Sequence, residues 1–313
     1  MKQHALSLPF YRRAFVMLTL IFLMTACAPA AYREPITRYQ QASTVVIEGA
    51  RTTYGSANKG ERDAEIDHRL ARQERITLRD LNSEDLRLLG PDDIAARMKA
   101  LDALAKHGEL LLTLASSDAP QKAKDAANSL DDAIISLNSA IGNTSSDGFK
   151  EAAGGFATIA GEVAQLALEE KITAALDKSI VASGDQVKSL LRLLRIEIGA
   201  LYERRRANLS NDRVAAVDEY NELIAQPNKN TANLVKAAAR IKAVEDAWDN
   251  LPLLLGAGPG LDAMTQAHQE LLDYAKSQKS PQDLADLIEA VDAFVTRAKV
   301  IADAIQTLRD AQE

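Results

Sequence analysis

Along most of the chain, apolar residues recur in steps of three and four, the spacing that places them on one face of an α-helix. Ile36, Tyr39, Ser43, Val46, Ala50 and Tyr54 form a first stripe behind Pro35, which suits a first helical turn. Ile94, Met98, Leu101, Ala105, Gly108, Leu112 and Ala115 form a second. Gly90-Pro91-Asp92-Asp93 opens it, with acids at the positive end of the helix dipole. After a turn at Ser117-Asp118-Ala119-Pro120 comes a third stripe of Ala123, Ala127, Leu130, Ile134, Leu137 and Ile141. So short a link makes these two helices antiparallel neighbours.

A polar Ser/Asn/Gly loop over 142–148 follows, and it is the best domain boundary in the chain. The spacing predicts a helix over 149–181, with Phe149, Ala153, Phe156, Ile159, Val163, Leu166 and Leu176 inward. Ser183-Gly184-Asp185 reads as the next turn, and Val187, Leu191, Leu194, Ile198 and Leu201 line the helix after it. That stripe then meets Arg205, while Val214, Val217 and Ile224 sit on another face. A break or kink near 208–212, with Ser210 capping a new helix, is the favoured reading. The alternative is Arg205 buried in an ion pair. Beyond a loop at 227–230, Leu234, Ala238, Ile241, Val244 and Trp248 form the next stripe, and 251–260 reads as an apolar Pro/Gly connection. Helices over 261–279 and 281–312 close the chain, the last with the longest clean stripe, Leu284 to Leu308. The charge-dense stretch 61–80 reads as a peripheral helix with a solvated face. No segment reads as a strand. The expectation is an all-α fold, an elongated up-and-down bundle of long antiparallel helices, with sub-bundles over 35–142 and 143–313 if it divides.

Composition agrees with that picture. Of the 313 residues, 47% are hydrophobic but only 4% aromatic, which suits closely packed helices better than a sheet. The formal net charge of −7 repels nucleic acid and anionic headgroups at long range, so neither is expected as a ligand.

The N-terminus carries an address. Arg12-Arg13 precedes the apolar run from Ala14 to Met24, and small residues follow, which describes an export signal over 1–26. The run is too short to span a bilayer comfortably. Met24-Thr25-Ala26-Cys27 resembles the lipobox of bacterial lipoproteins. The resemblance, which covers residues 1–27 only, implies a diacylglyceryl thioether on Cys27, cleavage before it and acylation (palmitate or a similar chain) of the new amino group. It also implies outer-membrane sorting, because Ala28 rather than Asp follows the cysteine, with the protein facing the periplasm or the cell surface. Cys27 is the single cysteine and has no disulfide partner within the chain. Two or three acyl chains hold a protein firmly at a membrane where one does not. Residues 27–34 are then expected to be a lipidated tether.

Candidate chemistry is sparse. Glu65-Ile66-Asp67-His68 has the Glu-x-x-His spacing of di-iron bundles, but such sites need two of these motifs and two further carboxylates, so no metal and no cofactor besides the covalent lipid is expected. No nucleophile stands in a catalytic motif, so no enzyme is expected and no catalytic residue is assigned. Lys188, Arg192, Arg195 and Arg206 fall on one helix face beside Tyr202, next to Arg204 and Arg205. This face either grips an acidic partner or a phosphate, or is neutralised by Glu203 and acids on neighbouring helices. Ala152 to Gly161 is small and apolar all round, as in a helix clasped by its neighbours. The apolar Leu253, Leu254 and Leu255 either cap the bundle or dock a partner. The expected function is a membrane-tethered, non-enzymatic protein-interaction or scaffold module, such as an accessory of an envelope complex or an inhibitor of a toxin. The alternative is a carrier of a hydrophobic ligand between helices.

Overall fold

The computed structural model describes residues 28–83, 86–116, 119–169, 172–228 and 230–310. Within them lie nine helices and one single-turn helix, and no strand. In order they are α1 (Ala28–Ser56), α2 (Lys59–Ala71), the short α3 (Leu78–Leu81), α4 (Pro91–Ser116) and α5 (Pro120–Ile141). Then come α6 (Asp147–Glu169), α7 (Ile172–Ala225), α8 (Thr231–Asp249), α9 (Leu251–Lys276) and α10 (Pro281–Asp310). The fold is an all-α helical bundle, as the periodicity predicts.

Neighbouring helices close a ring. α4 packs on α5, α5 on α6, α6 on α7, α7 on α9, α9 on α10, α10 on α1 and α1 on α4. The helices before residue 142 and those after it therefore share one core, which runs from Ile36 to Ile301. The predicted stripes supply it: Leu130, Leu137, Leu191, Leu194, Val291 and Phe294 are all fully buried. Local chemistry fixes several helix ends. Asn230 caps α8 by accepting from the amides of Ala232 (2.9 Å) and Asn233 (3.4 Å). Ser280 and Asp283 cap α10 reciprocally, each side chain accepting from the other's amide at 3.2 and 2.8 Å.

The core also holds one charged knot. Arg97 on α4, 2% exposed, gives a forked pair of hydrogen bonds to Glu197 on α7, at 3.0 and 2.6 Å. Its guanidinium stacks over Phe149, 4.3 Å from the ring centre. Tyr54 on α1 donates to the same Glu197 at 3.0 Å. Three helices are thus tied through one carboxylate. Asp93, a turn before Arg97, accepts from Thr144 and from the amide (2.9 Å) and hydroxyl (2.8 Å) of Ser145, pinning the loop before α6. Burial works to raise its carboxyl pKa, but these bonds and the Arg97 charge outweigh that and hold it below the usual value.

The helix expected over 149–181 is divided, α6 ending at Glu169 and α7 beginning at Ile172, and the one expected over 61–80 ends at Ala71, with the short α3 after it. Four further boundaries are corrected. α1 begins at Ala28, so the expected tether is helical from there and Pro35 lies inside the helix rather than at its start. Ser183-Gly184-Asp185 does not turn the chain: α7 passes through it. A Cβ on Gly184 would lie 2.7 Å from Leu272, so the glycine admits a close crossing of α9. No break occurs at 208–212 either, and α7 runs for 54 residues, about 80 Å. Its apolar stripe changes face because its neighbour changes. Up to Leu201 it faces the bundle, and beyond that it faces α8, through Leu209 and Ala216. Finally, 251–260 is not a connection but the first turns of α9, with Pro252 at the start and Pro259 inside.

The distal part of α7 and α8 form a two-helix arm. Apart from α7, α8 makes only slight contact with α9. Near the arm's base α2 lies against α7, where Arg240 of α8 reaches Asp67 at 3.8 Å. No described helix is long and apolar enough to cross a membrane.

Candidate functional site

The basic residues of α7 do not gather at one point. From Lys188 to Arg206 the helix rises about 27 Å, so no single small anion meets the whole set. Lys188 donates to Gln269 at 2.6 Å and pairs with Asp185 at 3.4 Å, and Arg195 pairs with Asp262 at 2.7 Å. Arg192 is exposed beside them in a shallow groove between α7 and α9 that Asp185 and Asp262 also line. Arg206 points outward and pairs with Glu203 at 3.0 Å. Of these acids Glu203 is the one named from the sequence; Asp262 is on a neighbouring helix, and Asp185 is on α7 itself. Cys27 and the side chains of Leu253, Leu254 and Leu255 lie outside the described residues.

Tyr202 leads to a different place. It lines a cleft of about 340 Å³ where the arm leaves the bundle, walled by α1, α2, α7 and the α8–α9 junction. Leu88, Leu201, Leu209 and Leu251 make an apolar wall, and Thr52, Ser56, Lys59 and Asn250 add polar groups. Arg205, the residue that interrupts the sequence stripe, also lines it, and its Nη1 is buried without a hydrogen-bond acceptor among the described residues. At Arg205 the helix does not break, and no ion pair forms within 4 Å among the described residues. The nearby carboxylate of Glu61 is already committed. It accepts from Arg204 at 3.0 Å through both oxygens and from Asn208 at 2.6 Å. The Arg204 hydrogen bonds do most to lower its pKa, against burial, with Asn208 and the Arg205 charge adding to them.

On one side of the arm Arg213 forms a forked pair with Glu245, at 2.8 and 2.9 Å, and stacks over Trp248 at 4.5 Å. Counting in three- and four-residue steps from that pair places Val217 and Ile224 of α7, and Val235 of α8, on the same side. α2 lies across the other side, at Arg240. Val217, Ile224 and Val235 are 43%, 38% and 63% exposed, and Val214 nearby is 61% exposed. Ser210, Val214, Val217, Asn221 and Ile224 keep the 4-3-4-3 spacing of a coiled-coil seam.

Two histidines, His107 and His268, are deeply buried. His107 on α4 lies 3.1 Å from Ser183 Oγ through Nε2, and Ser183 donates its one hydroxyl proton to the Ser179 carbonyl at 2.8 Å. Which of Ser183 and His107 donates in this contact depends on the imidazole tautomer. Both groups are sealed in the core. His268 on α9 has no hydrogen-bond partner among the described residues at either ring nitrogen and sits 6.3 Å from the Tyr39 ring. Burial lowers the pKa of His107 to about 4 and, with smaller contributions from His107 and Lys188, that of His268 to about 3. His68 is exposed, and among the described residues no group of three or more His, Cys, Asp or Glu could hold a metal ion.

Neither the known protein families, nor the characterised protein sequences, nor the solved structures contain a match to this chain.

Proposed function

We propose that this chain is a lipid-anchored, non-enzymatic interaction module of the bacterial envelope, held at the outer membrane through Cys27 and presenting the α7–α8 arm to a helix of a protein partner. The observation that carries the reading is the outer face of the arm. Four aliphatic side chains, Val214, Val217, Ile224 and Val235, stand in water on a two-helix projection, while the other exposed aliphatics, among them Leu70, Leu78, Ile135 and Ile196, lie elsewhere on the chain. Scattered exposed aliphatics are ordinary, but a row at seam spacing on a projecting arm fits a helix laid along it. Asn221 within that row fits a register-setting position of such a seam. The anchor reading rests on the leader and on Met24-Thr25-Ala26-Cys27.

The test is a photo-crosslinking amino acid placed at Val217 or Val235 in cells, with Lys124 on α5 as control. A single discrete adduct from the arm positions, lost in an Ile224→Glu background, is expected. No adduct at the arm, or the same adducts from Lys124, would refute the assignment.

A further inference from the structure

We infer that the cleft at the base of the arm is a binding site for a small amphipathic carboxylate, with the head group on Arg205 and the short apolar chain along the leucine wall. A guanidinium carries five donors and is always charged, so a buried nitrogen of that group without an acceptor among the described residues leaves a donor open to an anion. Here the buried atom is Arg205 Nη1. Of the carboxylates that feel the Arg205 charge, Glu61 is turned to Arg204 and Asn208 instead, and Asp212 forms no ion pair with Arg205 within 4 Å among the described residues.

Gly60 holds this arrangement. A Cβ at Gly60 would lie 2.5 Å from Arg205 Nη1 and 2.9 Å from its Cδ, so only glycine lets the guanidinium lie against the start of α2. Lys59, which pairs with Asp63 at 3.6 Å, and the Arg204-bound Glu61 also line the cleft.

The size and lining set the ligand class. At about 30 Å³ for each water-sized unit, a cleft of about 340 Å³ takes on the order of ten non-hydrogen atoms. Leu201, Leu209 and Leu251 would cover an alkyl chain, and the Tyr202 side and Ser56 lie at the polar margin. Octanoate has the right size, charge and polarity, whereas a two-chain lipid is too large. The site is independent of any partner on the arm's outer face and narrower than carriage of a large hydrophobic ligand within the bundle.

The test titrates octanoate, octan-1-ol and acetate into the full chain carrying Cys27→Ser, in detergent-free buffer, by calorimetry. Octanoate is expected to bind one to one with a Kd on the order of 0.1 mM. Arg205→Met should weaken it at least about tenfold, the size of one charge-assisted hydrogen bond, while Lys124→Met leaves it unchanged. The proposal is overturned if octanoate fails to bind below about 5 mM, if octan-1-ol binds as tightly, or if Arg205→Met binds as the parent does. Should Arg205→Met lose its helical circular dichroism, Ala247→Phe, which fills the cleft, takes its place. A tenfold loss there supports the site, and unchanged affinity overturns it.

Discussion

Lowering the pH from 7 to 5 should weaken this fold through two side chains in its centre. His107 and His268 are fully buried, on α4 and α9, and burial depresses both pKa values from the ordinary 6.5 to about 4 and about 3. Both stay neutral in the folded protein at pH 5 and titrate near 6.5 once unfolded. The unfolded chain therefore binds more protons across this window, and stability falls as pH falls. Integrating from pH 7 to 5 gives about 1.9 kcal/mol for each histidine, so about 4 kcal/mol together, a large part of the 5–15 kcal/mol typical of a folded domain. The loss starts near 6.5 and levels off only once the folded-state values near 4 and 3 are passed. Glu61 and Asp93, whose pKa values are lowered in the fold, lose their contributions at lower pH. Asp212 and Glu270, raised chiefly by burial, act in the opposite sense. The comparison is therefore made between variants. Urea denaturation followed by circular dichroism at pH 7 and pH 5 should show the drop in the parent, and a drop smaller by about 4 kcal/mol in His107→Gln/His268→Met. An equal pH dependence in the two proteins would refute the reasoning.

Other changes follow from the packing. Arg97→Met leaves Glu197 and Tyr54 facing each other without their cation, and should destabilise the bundle by about 3 kcal/mol in urea. The double variant Arg97→Met/Glu197→Leu should recover part of that loss. Gly161→Ala adds a methyl where nothing lies within 4 Å, so it should stabilise α6 by up to about 1 kcal/mol through helix propensity. Gly260→Ala has the same propensity gain, but its Cβ would lie 2.5 Å from Ile301 and 3.1 Å from Val46, and overpacking should leave a net loss of about 1 kcal/mol. Thermal melts of the two alanine variants moving in the same direction would contradict this. Labelled fatty acid should enter the parent protein and not Cys27→Ser, as read by fluorography of the isolated band.

The helical class, most of the core and many helix ends could be read directly, because helical periodicity, proline and capping side chains act within a few residues of one another. Leu130, Leu137, Val291, Phe294 and Ala298 were expected inward from spacing alone, and all are buried. Of the candidate site, Tyr202 was named and Arg205 was noticed as an interruption, but the cleft they share was not visible. It is built from α1, α2, α7 and the α8–α9 junction, which meet only in the fold. The Arg97–Glu197 pair joins residues 100 positions apart and left no local trace.

Helix continuity divides the two kinds of information most clearly. Ser183-Gly184, the face change after Leu201 and the Pro/Gly run before Leu261 all look like interruptions, and in isolation each weakens a helix. A glycine costs a helix only about 1 kcal/mol, less than the packing that a close approach allows. Gly184 against Leu272, and Gly260 against Ile301 and Val46, are such approaches. Spacing states which face of a helix is apolar, but not which neighbour covers it. Whether α7 continues past its own stripe, and so whether the protein has an arm and a cleft at its base, depended on α8 folding back along it. That is a property of the tertiary structure alone.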